Sequence, residues 1–144
     1  MITSVILQTS MRLILPLSLL FTAYMAIKGH NEAGGGFIAG LIASAAFMTY
    51  RISMGADALF KIIPVHPRVL IVIGLSLALL TSVVPLLLGE PLLTSTTFHW
   101  PLPGGEEGHL PSAAIFDLGV MFVVIGVTVG MITRLTEELE GQEP

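Results

Sequence analysis

Four long apolar stretches, separated by short polar ones, run along the chain at about residues 5–27, 35–54, 69–89 and 113–133. Each reaches the roughly 20 residues that a membrane-spanning helix needs. The pattern predicts an all-α membrane protein with four transmembrane helices in one domain, residues 1–134, followed by an acidic tail at 135–144 that reads as a frayed helix end. The third stretch is the cleanest, since no charge interrupts it from Val69 to Gly89. The first carries Gln8 and Arg12 early and ends at Lys28. Three spans follow it, and Ala23-Tyr24-Met25-Ala26 is a poor small-x-small cleavage site, so it reads as a retained helix rather than a secretion signal.

The connections differ in kind. Gly29 to Gly34 leaves room only for a tight reversal. Residues 55–68 read as a short amphipathic piece, with Leu59, Phe60, Ile62 and Ile63 near the interface, stopped by Pro64 and Pro67. The connection from Glu90 to Ser112 is long; it turns at Pro103-Gly104-Gly105 and offers Trp100 as a headgroup anchor. Basic residues then orient the bundle. Arg12, Arg51, Lys61, Arg68 and Arg134 fall on one side and only Lys28 on the other, while the long loop carries three glutamates and no base. Both termini are expected in the cytoplasm, with the long loop between the third and fourth helices outside.

Composition narrows the function. The 144 residues are 53% hydrophobic and 11% charged, against roughly 25% charged in an average soluble domain. A water-soluble enzyme is excluded. The absence of cysteine rules out disulfides, zinc knuckles and iron–sulfur ligation. Six basic residues under a net charge of −4 leave no basis for nucleic-acid binding. No nucleophile–base arrangement, phosphate loop or cofactor motif is present, so neither a catalytic site nor a cofactor is expected.

Asp117 is the first candidate for chemistry. An acid within a spanning helix costs at least ~2.5 kcal/mol on insertion scales and so faces protein or water. It reads either as a protonatable or cation-coordinating group on an ion path, or as a structural acid tied to a base or to free amides. At 100° per residue, Gly119, Gly126 and Gly130 lie about 200°, 180° and 220° around from it. These glycines form a stripe suited to close packing, while Asp117 shares the opposite face with Met121, Val124 and Thr128. Both faces are thus expected under protein, which four helices would struggle to supply, and a larger complex is implied. Arg12 lies near the inner end of its helix and Asp117 near the outer end of its own, so across a ~30 Å layer they should not meet. Arg12 reads instead as a cytoplasmic-side charge reaching headgroups or a neighbouring subunit. Better-placed partners for Asp117 are Lys28, His30 and the amides at Gly34, Gly35 and Gly36.

That hairpin is the second candidate. Glycines let backbones approach, free amides at a helix start attract negative charge, and His30 is a candidate proton relay. A polar hairpin that satisfies helix ends is the plain alternative, favoured for Glu32 and evenly matched for Lys28 and His30. Gly36, Gly40 and Ser44, with Ala39 and Ala43, read as a packing face. His99 and His109 stand in the long loop without a ligand constellation, and no metal site is expected.

The run Lys28-Gly29-His30-Asn31-Glu32-Ala33-Gly34-Gly35-Gly36-Phe37-Ile38-Ala39-Gly40-Leu41-Ile42 strongly resembles the signature of the B subunit (MrpB/MnhB) of multisubunit Mrp-type sodium/proton antiporters. Ile115-Phe116-Asp117-Leu118-Gly119-Val120 is similar to the family's second signature. The likeness covers essentially the whole chain and departs from the family at Ala33, where proline is usual. It marks His30, Asn31, Gly34, Gly35, Gly36, Phe37, Gly40, Phe116, Asp117 and Gly119 as signature positions. The resemblance implies a small multi-pass subunit of the cell membrane, needed for assembly and contributing to the ion-translocating half of a complex that exchanges sodium for protons. Implied partners are the A-type subunit, whose C-terminal membrane domain the B subunit resembles, small C, E, F and G-type subunits, sodium ions, protons and membrane lipid. Related modules occur in membrane-bound hydrogenases, so a purely structural subunit of such a respiratory complex is the alternative. A stand-alone transporter is a third reading, resting on size alone.

Overall fold

The computed structural model describes residues 5–29, 34–92, 94, 97–101 and 107–140. Four long helices carry the fold, α1 (Val5–Lys28), α2 (Gly35–Met54), α4 (Pro67–Leu87) and α5 (Ser112–Glu140), with a short α3 (Ala56–Ile62) between α2 and α4. All four are long and apolar enough to cross a membrane. Leucines such as Leu13, Leu20, Leu75, Leu79 and Leu87 stand well exposed on them. An apolar exterior of this kind is what hydrocarbon, rather than water, stabilises. The chain is a multi-pass membrane protein.

Two antiparallel hairpins, α1–α2 and α4–α5, join along a parallel α2/α5 seam, giving a row in the order α1, α2, α5, α4. Its interior is small. Ala39 and Ala43 of α2, Met11 and Leu15 of α1, and Ile125 and Val129 of α5 are buried, and Leu59 of α3 closes the core at the end where α2 finishes. Without hydrophobic gain between helices in lipid, association depends on close packing, and small residues permit it. Gly74 and Gly119 mark the α4/α5 crossing. A Cβ on Gly74 would stand 2.5 Å from the Gly119 carbonyl oxygen, and one on Gly119 2.7 Å from that of Gly74.

Several boundaries differ from the sequence reading. The third span starts two residues early, because Pro67 fits the first helical turn and the His66 ring caps it by accepting from the Arg68 N–H at 3.3 Å. It stops at Leu87, ahead of Gly89 at φ 83°. Hydropathy ends near Arg134, yet α5 continues to Glu140, so residues 135–140 of the expected tail are helical. Leu135, Glu137 and Glu138 are good helix formers, and no glycine or proline intervenes before Gly141. The amphipathic piece at 55–68 contains α3, opened by Gly55 at φ 90°. Within the long loop, β1 (Thr97–Pro101) and β2 (Glu107–Pro111) pair antiparallel. Their register sets His99 opposite His109.

Candidate functional site

The site lies where α2 begins. A helix start leaves several N–H groups without partners, commonly satisfied by a polar side chain just before it. Here that position is Gly34, at φ 92°, which has no side chain to offer. The missing acceptor comes from α5. Asp117 Oδ2 accepts the Gly36 N–H at 3.0 Å, across 81 positions of sequence. Gly36 is the second residue of α2, where a capping oxygen ordinarily bonds. Asp117 is therefore an N-cap supplied by another helix, placed at the positive end of the α2 dipole.

Only glycine allows this approach. A Cβ on Gly36 would fall 2.0 Å from the Asp117 carbonyl oxygen. One turn further along the seam, a Cβ on Gly40 would meet Val124 Cβ at 2.9 Å and the Met121 oxygen at 3.1 Å. The face shared by Asp117, Met121 and Val124 thus lies on the small-residue face of α2. The opposite stripe faces α4, with Gly119 against Gly74 and Gly126 against Pro67 and Ile71. Both faces are covered, as the wheel required, but by this chain's own α2 and α4. That overturns one step of the sequence argument, since two-sided cover of α5 does not itself call for further subunits.

Other expected residues are placed differently. Among the candidate partners of Asp117, the Gly36 amide reaches it, whereas Lys28 sets its ammonium over the Tyr24 ring at 5.5 Å. Arg12 and Phe37 lie exposed on α1 and α2, and Phe116 is half-buried beside Asp117. His30, Asn31 and Glu32 fall outside the described residues. Ser44 is buried as expected of a packing residue, 2% exposed, yet its Oγ has no hydrogen-bond partner among the described residues.

The far end of the same seam holds a contact that sequence reasoning missed. Arg51 is 5% exposed, and its Nη1 donates to Thr133 Oγ1 at 2.8 Å. Thr133 in turn donates to the Val129 carbonyl at 2.8 Å. Arg51 had been read only as one of the charges marking the cytoplasmic side. At 1.5 Å per residue it stands about 22 Å from Gly36. The α2/α5 seam is therefore closed by a carboxylate at one end and a guanidinium at the other, and the signal that could have found the second is the near-equal spacing, 15 residues from Gly36 to Arg51 and 16 from Asp117 to Thr133.

Such an architecture, four apolar helices with a carboxylate on a glycine-built seam, defines a class of small integral membrane proteins. Residues 6–130 match the family described as a domain related to the MnhB subunit of the Na+/H+ antiporter, and the chain belongs to that family. It is 33% identical over 132 residues to the candidate antiporter subunit mnhB2 of Staphylococcus aureus (strain Newman), covering 92% of this chain and 94% of that protein. The counterpart in strain COL matches equally. Among solved structures, a chain of the Mrp complex from Dietzia sp. DQ12-45-1b superposes with a TM-score of 0.72 at 31% identity, covering 91% of this chain and 14% of that one. The fold there is one part of a much longer polypeptide.

Proposed function

We propose that this chain is a membrane subunit of a multisubunit Na+/H+ antiporter, and that Asp117 is its ionisable contribution to the ion path. The family match over nearly the whole chain carries the first part. The second rests on the seat of the carboxylate. One oxygen of Asp117 is held by the Gly36 amide. The other can accept a proton or coordinate a cation, and sodium is a hard ion that takes carboxylate and carbonyl oxygens. Protonating the carboxylate weakens its bond to the amide and its attraction to the α2 dipole, because charge-assisted hydrogen bonds are roughly twice as strong as neutral ones. Loading of Asp117 is thereby coupled to the firmness of the α2/α5 contact.

In this reading the chain has no chemistry of its own and works within the assembly. Its partners are other antiporter subunits, an A-type membrane domain and small C, E, F and G-type subunits, with both termini and the basic helix ends on the cytoplasmic side. A specific observation favours a second role alongside the first. Backbone-to-backbone glycine contacts at Gly36–Asp117 and Gly74–Gly119 make the module rigid, as a scaffold for neighbours would be.

The test uses everted vesicles from cells lacking only this chain. Sodium-dependent proton exchange is expected to vanish and to return when the chain is restored. Exchange at the normal rate without it would refute the assignment.

A further inference from the structure

At the basic end of the bundle, α4 and α5 frame an open cavity of about 640 Å³ whose contents the Na+/H+ reading leaves unassigned. Its lining changes character in tiers. The floor is apolar, made by Ile71 of α4 and Gly126, Val127, Gly130 and Met131 of α5. Along α5 the base Arg134 follows, and Arg68 and His66 at the start of α4 line the groove across from it. Beyond those, one turn further along α5, Glu137 and Glu138 complete the wall. The span from Gly126 to Glu137 is about 16 Å at 1.5 Å per residue, close to one leaflet of a ~30 Å hydrocarbon core.

We infer that this groove holds a phospholipid with an ethanolamine headgroup. The order of the tiers is the order of that molecule, with an acyl chain on the glycine furrow, a phosphate between the two guanidinium groups, and an ammonium outermost against the two carboxylates. Basic pockets between transmembrane helices bind lipid phosphates, and arginine matches phosphate oxygens with paired donors. His66 adds a donor to the same tier. Its Nδ1 accepts the Arg68 N–H, so a neutral ring carries its proton on Nε2. Charge complementarity selects the headgroup. A glycerol headgroup carries no cation to set against Glu137 and Glu138. A choline headgroup offers its charge but no N–H to donate. Gly126 lets α4 approach α5 closely beneath the groove, since a Cβ there would stand 2.7 Å from Ile71 Cγ1.

The test replaces Met131, exposed on the furrow, with p-benzoylphenylalanine in the full chain, in whatever assembly it purifies with. The preparation is reconstituted in vesicles of equimolar ethanolamine, glycerol and choline phospholipids and irradiated, and the adducts are identified by mass. Ethanolamine lipid is expected to dominate by about fivefold, the factor one headgroup charge contact supplies. Arg68→Gln with Arg134→Gln should reduce all lipid adducts. Glu137→Gln with Glu138→Gln should shift the adduct towards the glycerol lipid while total cross-linking persists. Three results would overturn the inference: adducts in proportion to the bilayer, a cross-link to a neighbouring polypeptide, or no adduct in a chain that is present and folded.

Discussion

Gly36→Val is expected to abolish the folded chain in the membrane while leaving its synthesis intact. The side chain would enter where the Asp117 carbonyl oxygen already stands, 2.0 Å from the first added carbon. The atoms it meets are all Asp117 backbone, so no rotamer change relieves the clash, and α2 and α5 must separate. Ordinary overpacking costs about 1–3 kcal/mol, and a rigid backbone contact belongs at or above the top of that range. Separation would also unseat Asp117 and reopen the seam toward Arg51. Gly130→Ala is the internal control. Its added carbon meets only Pro67 Cβ at 3.4 Å, ordinary contact, and the chain should accumulate normally. Membrane levels and protease resistance of the two variants provide the check. Equal accumulation of both would show that the α2/α5 approach is not as close as described.

Asp117→Leu should produce the second large effect, through docking rather than insertion. Removing a carboxylate makes the isolated helix easier to place in hydrocarbon, by ~2.5 kcal/mol or more. The same change removes the drive to dock, since the undocked α5 no longer presents an acid to lipid. It also leaves the Gly36 N–H without its acceptor, and an orphaned buried amide costs about 1–3 kcal/mol. Both terms weaken the α2/α5 contact. The variant should insert at normal levels but lose its thermal resistance in detergent and its co-purification with other subunits. Insertion and stability both unchanged would mean that the carboxylate does not cap α2.

Much of this was legible in the sequence, and the limits have physical causes. Hydropathy located the four spans because every backbone group in lipid must be satisfied within a helix. The wheel sorted the faces of α5 correctly, with Asp117, Met121 and Val124 against one neighbour and the glycines against another. It could not say which neighbours, because periodicity within one helix carries no information about its partner. Hence the two-sided cover was credited to other subunits when α2 and α4 provide it. The Gly36 amide could be named as a partner of Asp117 from the triple glycine, since a helix start without a capping side chain needs an acceptor from elsewhere. Arg51 was missed for a related reason. A base near a helix end usually reaches toward headgroups, and only the three-dimensional seam shows this one buried on Thr133. The acidic stretch after Arg134 reads as a helix end because helix propensity persists where apolar patterning stops, and α5 runs on to Glu140.

Asp117→Asn tests the central claim most directly, because the amide oxygen of asparagine can still accept the Gly36 N–H while the charge is gone. Sodium-dependent proton exchange should be measured in everted vesicles, at matched levels of this chain and of the subunits purified with it. The account predicts a normally assembled complex whose exchange is lost. Exchange at the rate of the unmodified chain would contradict it, leaving Asp117 as a helix cap and nothing more.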